Sequence, residues 1–164
     1  MDAAMLIRPD PLWSASEVLA RPSPIPSAPG VHGWRFNASP LSDLPAGQLL
    51  YVSIAPRYMA TREAGSLLRL ALGCLLGLEL RRVRSGRRMT FGKAGEAALG
   101  QWMAENARVR WVEHPEPWTA EADLIVRHGL PLNLDQNKRN AFHSRLKERR
   151  TQARQRARER PVTS

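Results

Sequence analysis

The apolar residues change period near residue 60, and that change limits the chain to a mixed α and β architecture. Residues 31–37 (VHGWRFN) and 49–55 (LLYVSIA) alternate as strands do, and Pro56 stops the second. They lie close in sequence, so an antiparallel pair is the simplest arrangement. From residue 63 to 80, Leu67, Leu68, Leu70, Leu72, Leu75, Leu76 and Leu78 follow helical spacing. The segment is apolar nearly all round, which predicts a buried helix. A strand over 78–83 is the competing reading of its end. Residues 94–107 predict an amphipathic helix, and 108–113 (RVRWVE) alternate as a third strand. Another helix follows over 118–128, and LPLNLDQN after it reads as an irregular loop. Upstream, residues 11–20 predict a short helix capped by Ser14 or Ser16. Residues 22–30, with four prolines, predict an extended connector. The expectation is an α+β fold: a small three-stranded antiparallel sheet flanked by helices, with a basic C-terminal helix. Three parts follow: a short helix and Pro-rich lead-in over 1–29, a core domain over 30–137, and a basic helix and tail over 138–164.

Charge is distributed unevenly. The 164 residues carry 25 Lys and Arg against 15 Asp and Glu, a net +10. Residues 138–160 alone hold ten basic and two acidic side chains, net +8. A polyanion is the expected partner, nucleic acid before an anionic membrane surface. In the tail, Arg149, Arg150 and Arg154 are candidate phosphate contacts. The plainer reading is a solvated helix end whose cations suit the C-terminal dipole. Its apolar residues thin out after Leu146, so its last turns are expected to project into water. Arg81, Arg82, Arg84, Arg87 and Arg88 form a second cluster around the turn-like Ser85-Gly86 and are candidates for the same role.

Several classes are excluded. One cysteine, Cys74, permits neither an internal disulfide nor a cysteine-based zinc site, and its apolar surroundings predict a buried thiol. The longest apolar run is too short for a bilayer, which needs about 20 residues. The first residues lack a basic start and a long apolar stretch, so a cytoplasmic protein with no membrane partner is expected. His32, His114, His128 and His143 lack zinc-helix spacing. Phosphate-loop, dinucleotide-binding and serine-hydrolase motifs are absent, and no small-molecule cofactor is implied. Glu121, in the first turn of its helix, suits one oxygen-loving divalent ion if it faces a cleft; otherwise the helix dipole favours it there. Asn133 sits between Leu132 and Leu134, either ordered by packing or bonded to its own turn.

The order of short motifs is informative. Gly30-Val31-His32-Gly33-Trp34 precedes Leu50-Tyr51-Val52-Ser53-Ile54-Ala55-Pro56, and Gly65-Ser66-Leu67-Leu68-Arg69-Leu70 follows. Then come Thr90-Phe91-Gly92 with Gly95-Glu96, Trp102-Met103, Asn106-Ala107-Arg108-Val109, Glu121 with Leu124-Ile125, and Leu130-Pro131-Leu132-Asn133-Leu134-Asp135. Over residues 18–155 this order resembles the GIY-YIG nuclease superfamily, in particular short stand-alone bacterial members. The resemblance implies a GIY-YIG-like domain that hydrolyses DNA phosphodiesters with one divalent ion, Mg2+ or Mn2+. It implies catalytic roles for Tyr51, His32 and Asn133 and a metal role for Glu121. His32 stands where the family's first signature Tyr falls, and Ser53 where a signature glycine falls. Between Pro56 and Gly65 the family's catalytic Arg segment looks deleted. Arg57, Arg62 and Arg69 lie nearby, and none is assigned its role. Three readings remain: a weakened or inactive endonuclease, a non-catalytic nucleic-acid-binding module, or a protein-interaction remnant.

Overall fold

The computed structural model describes residues 2–8, 10–55 and 66–163. Arg57, Arg62 and the shortened segment around them lie outside the described residues. The three alternating stretches become β1 (Gly30–Phe36), β2 (Tyr51–Ala55) and β5 (Ala107–Glu113). They form one antiparallel sheet in the order β2-β1-β5. Register places His32 opposite Ser53 and Trp111, and Trp34 opposite Tyr51 and Val109.

Alternation along the strands gives the sheet two buried faces. Val31, Val52 and Val112 on one face pack against Ala120, Leu124 and Ile125 of α4 (Pro117–His128). Phe36, Tyr51 and Ala107 on the other meet Leu68, Leu72 and Leu75 of α2 (Ser66–Leu75). Leu99 of α3 (Gly92–Asn106) and Leu146 of α5 (His143–Glu159) complete that layer. Cys74 is a free thiol buried within it, as expected. No helix among the described residues is long and apolar enough to cross a membrane.

The leucine-rich helix stops earlier than its pattern predicts. Gly77 adopts φ 76°, and the Leu78 N–H donates to the Gly73 carbonyl at 2.9 Å. This six-to-one closure ends a helix at a left-handed glycine. The strand alternative over 78–83 therefore holds only for Arg81–Val83. Arg81–Val83 (β3) pairs with Arg88–Thr90 (β4), a hairpin whose second strand the sequence pattern did not indicate.

The lead-in is more firmly attached than a connector. The short helix α1 (Ala15–Leu19) carries a capping box between Ser14 and Glu17, as its sequence predicts. Just before it, Trp13 exchanges backbone hydrogen bonds with Val109 at 2.9 and 3.0 Å, covering the outer edge of β5. The buried Arg35 donates to the carbonyls of Leu6 and Ile7 at 2.6 and 2.7 Å.

The C-terminal helix departs from expectation most. Its last turns do not project. Leu146, Ala153 and Ala157 are all buried, and α5 packs against α2. Arg82 donates to the carbonyls of Ala157 and Arg160 at 3.2 and 2.8 Å, closing the helix end. Alanine adds little to an apolar count, so the sequence under-reports this face. Ala157→Asp, which puts an unpaired charge into the buried contact of the last turns, should cost about 3 kcal/mol or more of stability. A projecting arm would lose roughly 0.5 kcal/mol or less. Urea unfolding of both proteins separates the two.

Candidate active site

Helix α4 begins with a proline in its first turn, where the missing N–H costs nothing. It ends at Gly129 in a left-handed conformation, with basic Arg127 and His128 in the last turn. Its sheet-facing side is set by Ala120, Leu124 and Ile125. Glu121 therefore falls at the margin of that side, one turn before Ile125. Both line a cleft of about 510 Å³.

The chain after Gly129 forms the floor of this cleft and runs against the exposed edge of β2. Asn133 makes that contact. Its side-chain oxygen accepts from the Val52 N–H at 2.9 Å, and its amide nitrogen donates to the Val52 carbonyl at 2.9 Å. The amide thus replaces a neighbouring strand's peptide. Asn137 donates to the carbonyls of Leu130 and Asn133 at 2.5 and 3.0 Å, and Asn140 donates to Gly129. Three asparagines at 133, 137 and 140 hold the loop into one shape. The last two were missed from the sequence, although an Asn-x3-Asn-x2-Asn spacing carried the signal. The loop presents Asp135 to the cleft, beside Gln136 at φ 61°.

Tyr51 begins β2 and reaches the cleft from the sheet. The remaining wall is one stripe of α5: His143, Lys147, Arg150 and Arg154 succeed one another at three- and four-residue spacing and all line the cleft. Carboxylates from α4 and the loop thus face cations from α5, with a phenol between.

The electrostatics follow from this placement. Burial, reinforced by Asp135, raises the Glu121 pKa. Burial is also the largest cause that raises the Tyr51 hydroxyl, to about 12. The Glu121 and Asp135 charges add to that rise, while Arg150 opposes it. Tyr51 therefore keeps its proton at neutral pH. The Arg150 pKa is lowered by burial and by Arg154, with Asp135 and Tyr51 acting the other way.

The structure therefore brings together Tyr51, Glu121, Asn133, Arg150 and Arg154. It does not bring His32 to this cleft. His32 is buried on β1, and neither ring nitrogen has a hydrogen-bond partner among the described residues. Burial lowers its pKa to about 4, so the ring is neutral. Arg149 faces away, beside Cys74 and Arg145. Arg81 bonds the Pro161 carbonyl and pairs with Glu79, and Arg82 holds the end of α5. The Arg84 N–H donates to the Thr163 carbonyl, and Arg87 and Arg88 are exposed on the hairpin. Arg69 pairs with Glu96 of α3 at 2.7 Å. Residues that sequence reasoning did not assign to the site are Asp135, Lys138 and Lys147.

A family model described as the GIY-YIG catalytic domain matches residues 47–152. That range runs from just before β2 into α5 and includes Tyr51, Glu121, Asn133, Asp135 and Arg150. No curated protein and no solved structure matches the chain.

Two consequences are measurable. Asn133→Ala leaves the buried Val52 N–H and carbonyl without partners and should cost about 2–4 kcal/mol in urea unfolding. For His32, the neutral folded form makes stability complete above pH 6.5 and progressively lost down to about pH 4. In that window the unfolded chain binds the extra proton. The loss should be on the order of 3 kcal/mol. His32→Gln should remove that part of the pH dependence, read as the difference between the two stability profiles.

Proposed function

The chain belongs to the GIY-YIG nuclease family, and from that premise we propose that it is a divalent-metal-dependent DNA endonuclease. The cleft between α4 and α5 would hold the phosphodiester that is hydrolysed. The observation that carries this reading is the convergence of Tyr51, Glu121 and Asp135 opposite the cationic stripe of α5.

The donor set suits a hard divalent ion. Glu121 and Asp135 offer carboxylate oxygens, and no cluster of three His, Cys, Asp or Glu is present among the described residues. Mg2+ is held in this way: one or two carboxylates, retained waters and substrate phosphate oxygens. Mn2+ accepts the same oxygens. Such an ion, when bound, would supply Lewis-acid polarisation of a phosphoryl oxygen.

The chain's own residues do the rest. Glu121 and Asp135 would hold the ion. Tyr51 stays protonated, and its oxygen accepts a hydrogen bond from the attacking water and aligns it. Lys138, Lys147 and Arg154 contact phosphates flanking the scissile one. Asn133 positions: it holds the Asp135 loop against β2 and does not reach for substrate. In the reaction a bond forms between water oxygen and phosphorus as the bond to one deoxyribose oxygen breaks. One water proton ends on the departing sugar hydroxyl, and the other is released from the phosphate monoester.

A second reading is a non-catalytic DNA-binding module on the same fold. It is favoured by His32, which stands where the family's first signature Tyr falls and is sealed from the cleft.

Plasmid nicking decides between them. Wild-type protein with Mg2+ or Mn2+ should nick supercoiled DNA, and EDTA should stop it. Glu121→Ala should lower the rate at least about 100-fold. Wild-type protein that retains DNA in a salt gradient but never nicks it supports the binding module instead.

A further inference from the structure

Arginine is abundant in this chain, and several of its arginines are already engaged. Among the described residues, Arg69 pairs with Glu96, Arg81 and Arg160 with Glu79, Arg127 with Asp123, and Arg145 with Asp43. Arg35 and Arg82 are bonded to backbone carbonyls. Arg150 is different. It lies half-buried in the cleft, takes part in none of those pairs, and its Nε is buried with no hydrogen-bond partner among the described residues.

Its position is fixed by its neighbours on α5. Leu146, four residues before, and Ala153, three after, are both buried in the core. The guanidinium therefore enters the cleft from a rigid part of the helix. The charge that acts on it most is that of Arg154 one turn further along, opposed by the Cys74 thiol, Asp135 and the Tyr51 hydroxyl. A half-buried guanidinium with a free N–H and a like charge beside it lacks an anion. Its planar fork matches two oxygens of a phosphate better than any lysine does.

We propose that Arg150 is a catalytic residue that donates hydrogen bonds to the non-bridging oxygens of the scissile phosphate. The proposal rests on the endonuclease reading. Its work is electrostatic. Negative charge grows on those oxygens as water adds, and a preoriented cation in a partly dry cleft stabilises it. The C-terminal helix is thus a wall of the active site. Lys147 and Arg154, on the same stripe, grip the neighbouring phosphates.

The test is single-turnover cleavage of a labelled duplex in Mn2+ by wild type, Arg150→Ala, Arg150→Gln, Arg154→Ala and Glu121→Ala. Arg150→Ala and Arg150→Gln should lower the rate about 10²–10³-fold. Their affinity for uncleaved duplex in EDTA should stay within about threefold. Added guanidinium ion should restore part of the Arg150→Ala rate, which a purely structural role would not allow. Arg154→Ala should chiefly weaken binding and flatten its salt dependence. Melting temperatures of all variants show which are folded, and Arg150→Gln keeps the helix stem if Arg150→Ala does not. If wild type cleaves, Glu121→Ala does not, and folded Arg150 variants cleave within tenfold of wild type, this inference alone is overturned. If wild type binds DNA and never cleaves, the endonuclease reading and this inference both fall.

Discussion

The Asn133 amide bonded to both backbone groups of Val52 is the contact on which the site depends. Strand β2 lies at the margin of the sheet. An unpaired strand edge attracts other chains unless something covers it. Here one side chain covers it, supported by the Leu132 N–H donating to the Leu50 carbonyl at 3.0 Å. The opposite margin is covered by Trp13 on β5. The two solutions differ in consequence. Trp13 closes an edge and lays its ring 5.4 Å from that of Trp111. Asn133 also sets the height of the loop that carries Asp135 and leads into α5. Loosening it would move one cleft wall relative to Tyr51 and Glu121.

Much of the architecture was legible because burial left a period in the sequence. Both faces of the sheet are covered, yet β1, β2 and β5 still alternate in size and polarity, and their positions follow. α4 was legible for a similar reason: Pro117 marks its start, and Leu124 and Ile125 mark its face. The burial of α5 was not legible. Ala153 and Ala157 provide a face through small size, allowing close approach to α2, and a count of large apolar residues passes over it. The β3–β4 hairpin was obscured likewise, since its strands are three residues each and mostly arginine.

The site was half legible. Tyr51, Glu121 and Asn133 were singled out on the order of motifs, and all three border one cleft. His32 was singled out with them; register puts it on the same sheet face as Tyr51, one pair further along, where it is buried and does not line the cleft. Net charge pointed to two arginine clusters without separating their roles. Sequence counts cations. It does not count the carbonyls that consume them. Arg81 and Arg82 belong to the end of α5, because a helix leaves its last carbonyls without partners. Arg150 and Arg154 occupy the stripe of the same helix that lines the cleft, where no carbonyl of the described residues is bonded to them. Adjacent in sequence, Arg149 and Arg150 face different surfaces, as successive residues of a helix must.

The charge in the cleft is arranged as an unmade bond. Burial raises the Tyr51 proton affinity most, Glu121 and Asp135 add to it, and Arg150 lowers it. The acidic and basic sides do not neutralise each other by direct ion pairs among the described residues. Holding them apart costs stability, since each half-buried charge has lost part of its water. A folded chain keeps such an arrangement when the missing partners come from outside. A cation against the carboxylates and a phosphate against the guanidinium would each satisfy one side. Only a ligand that brings both together satisfies the cleft as a whole, and a metal-bridged phosphodiester has that chemistry.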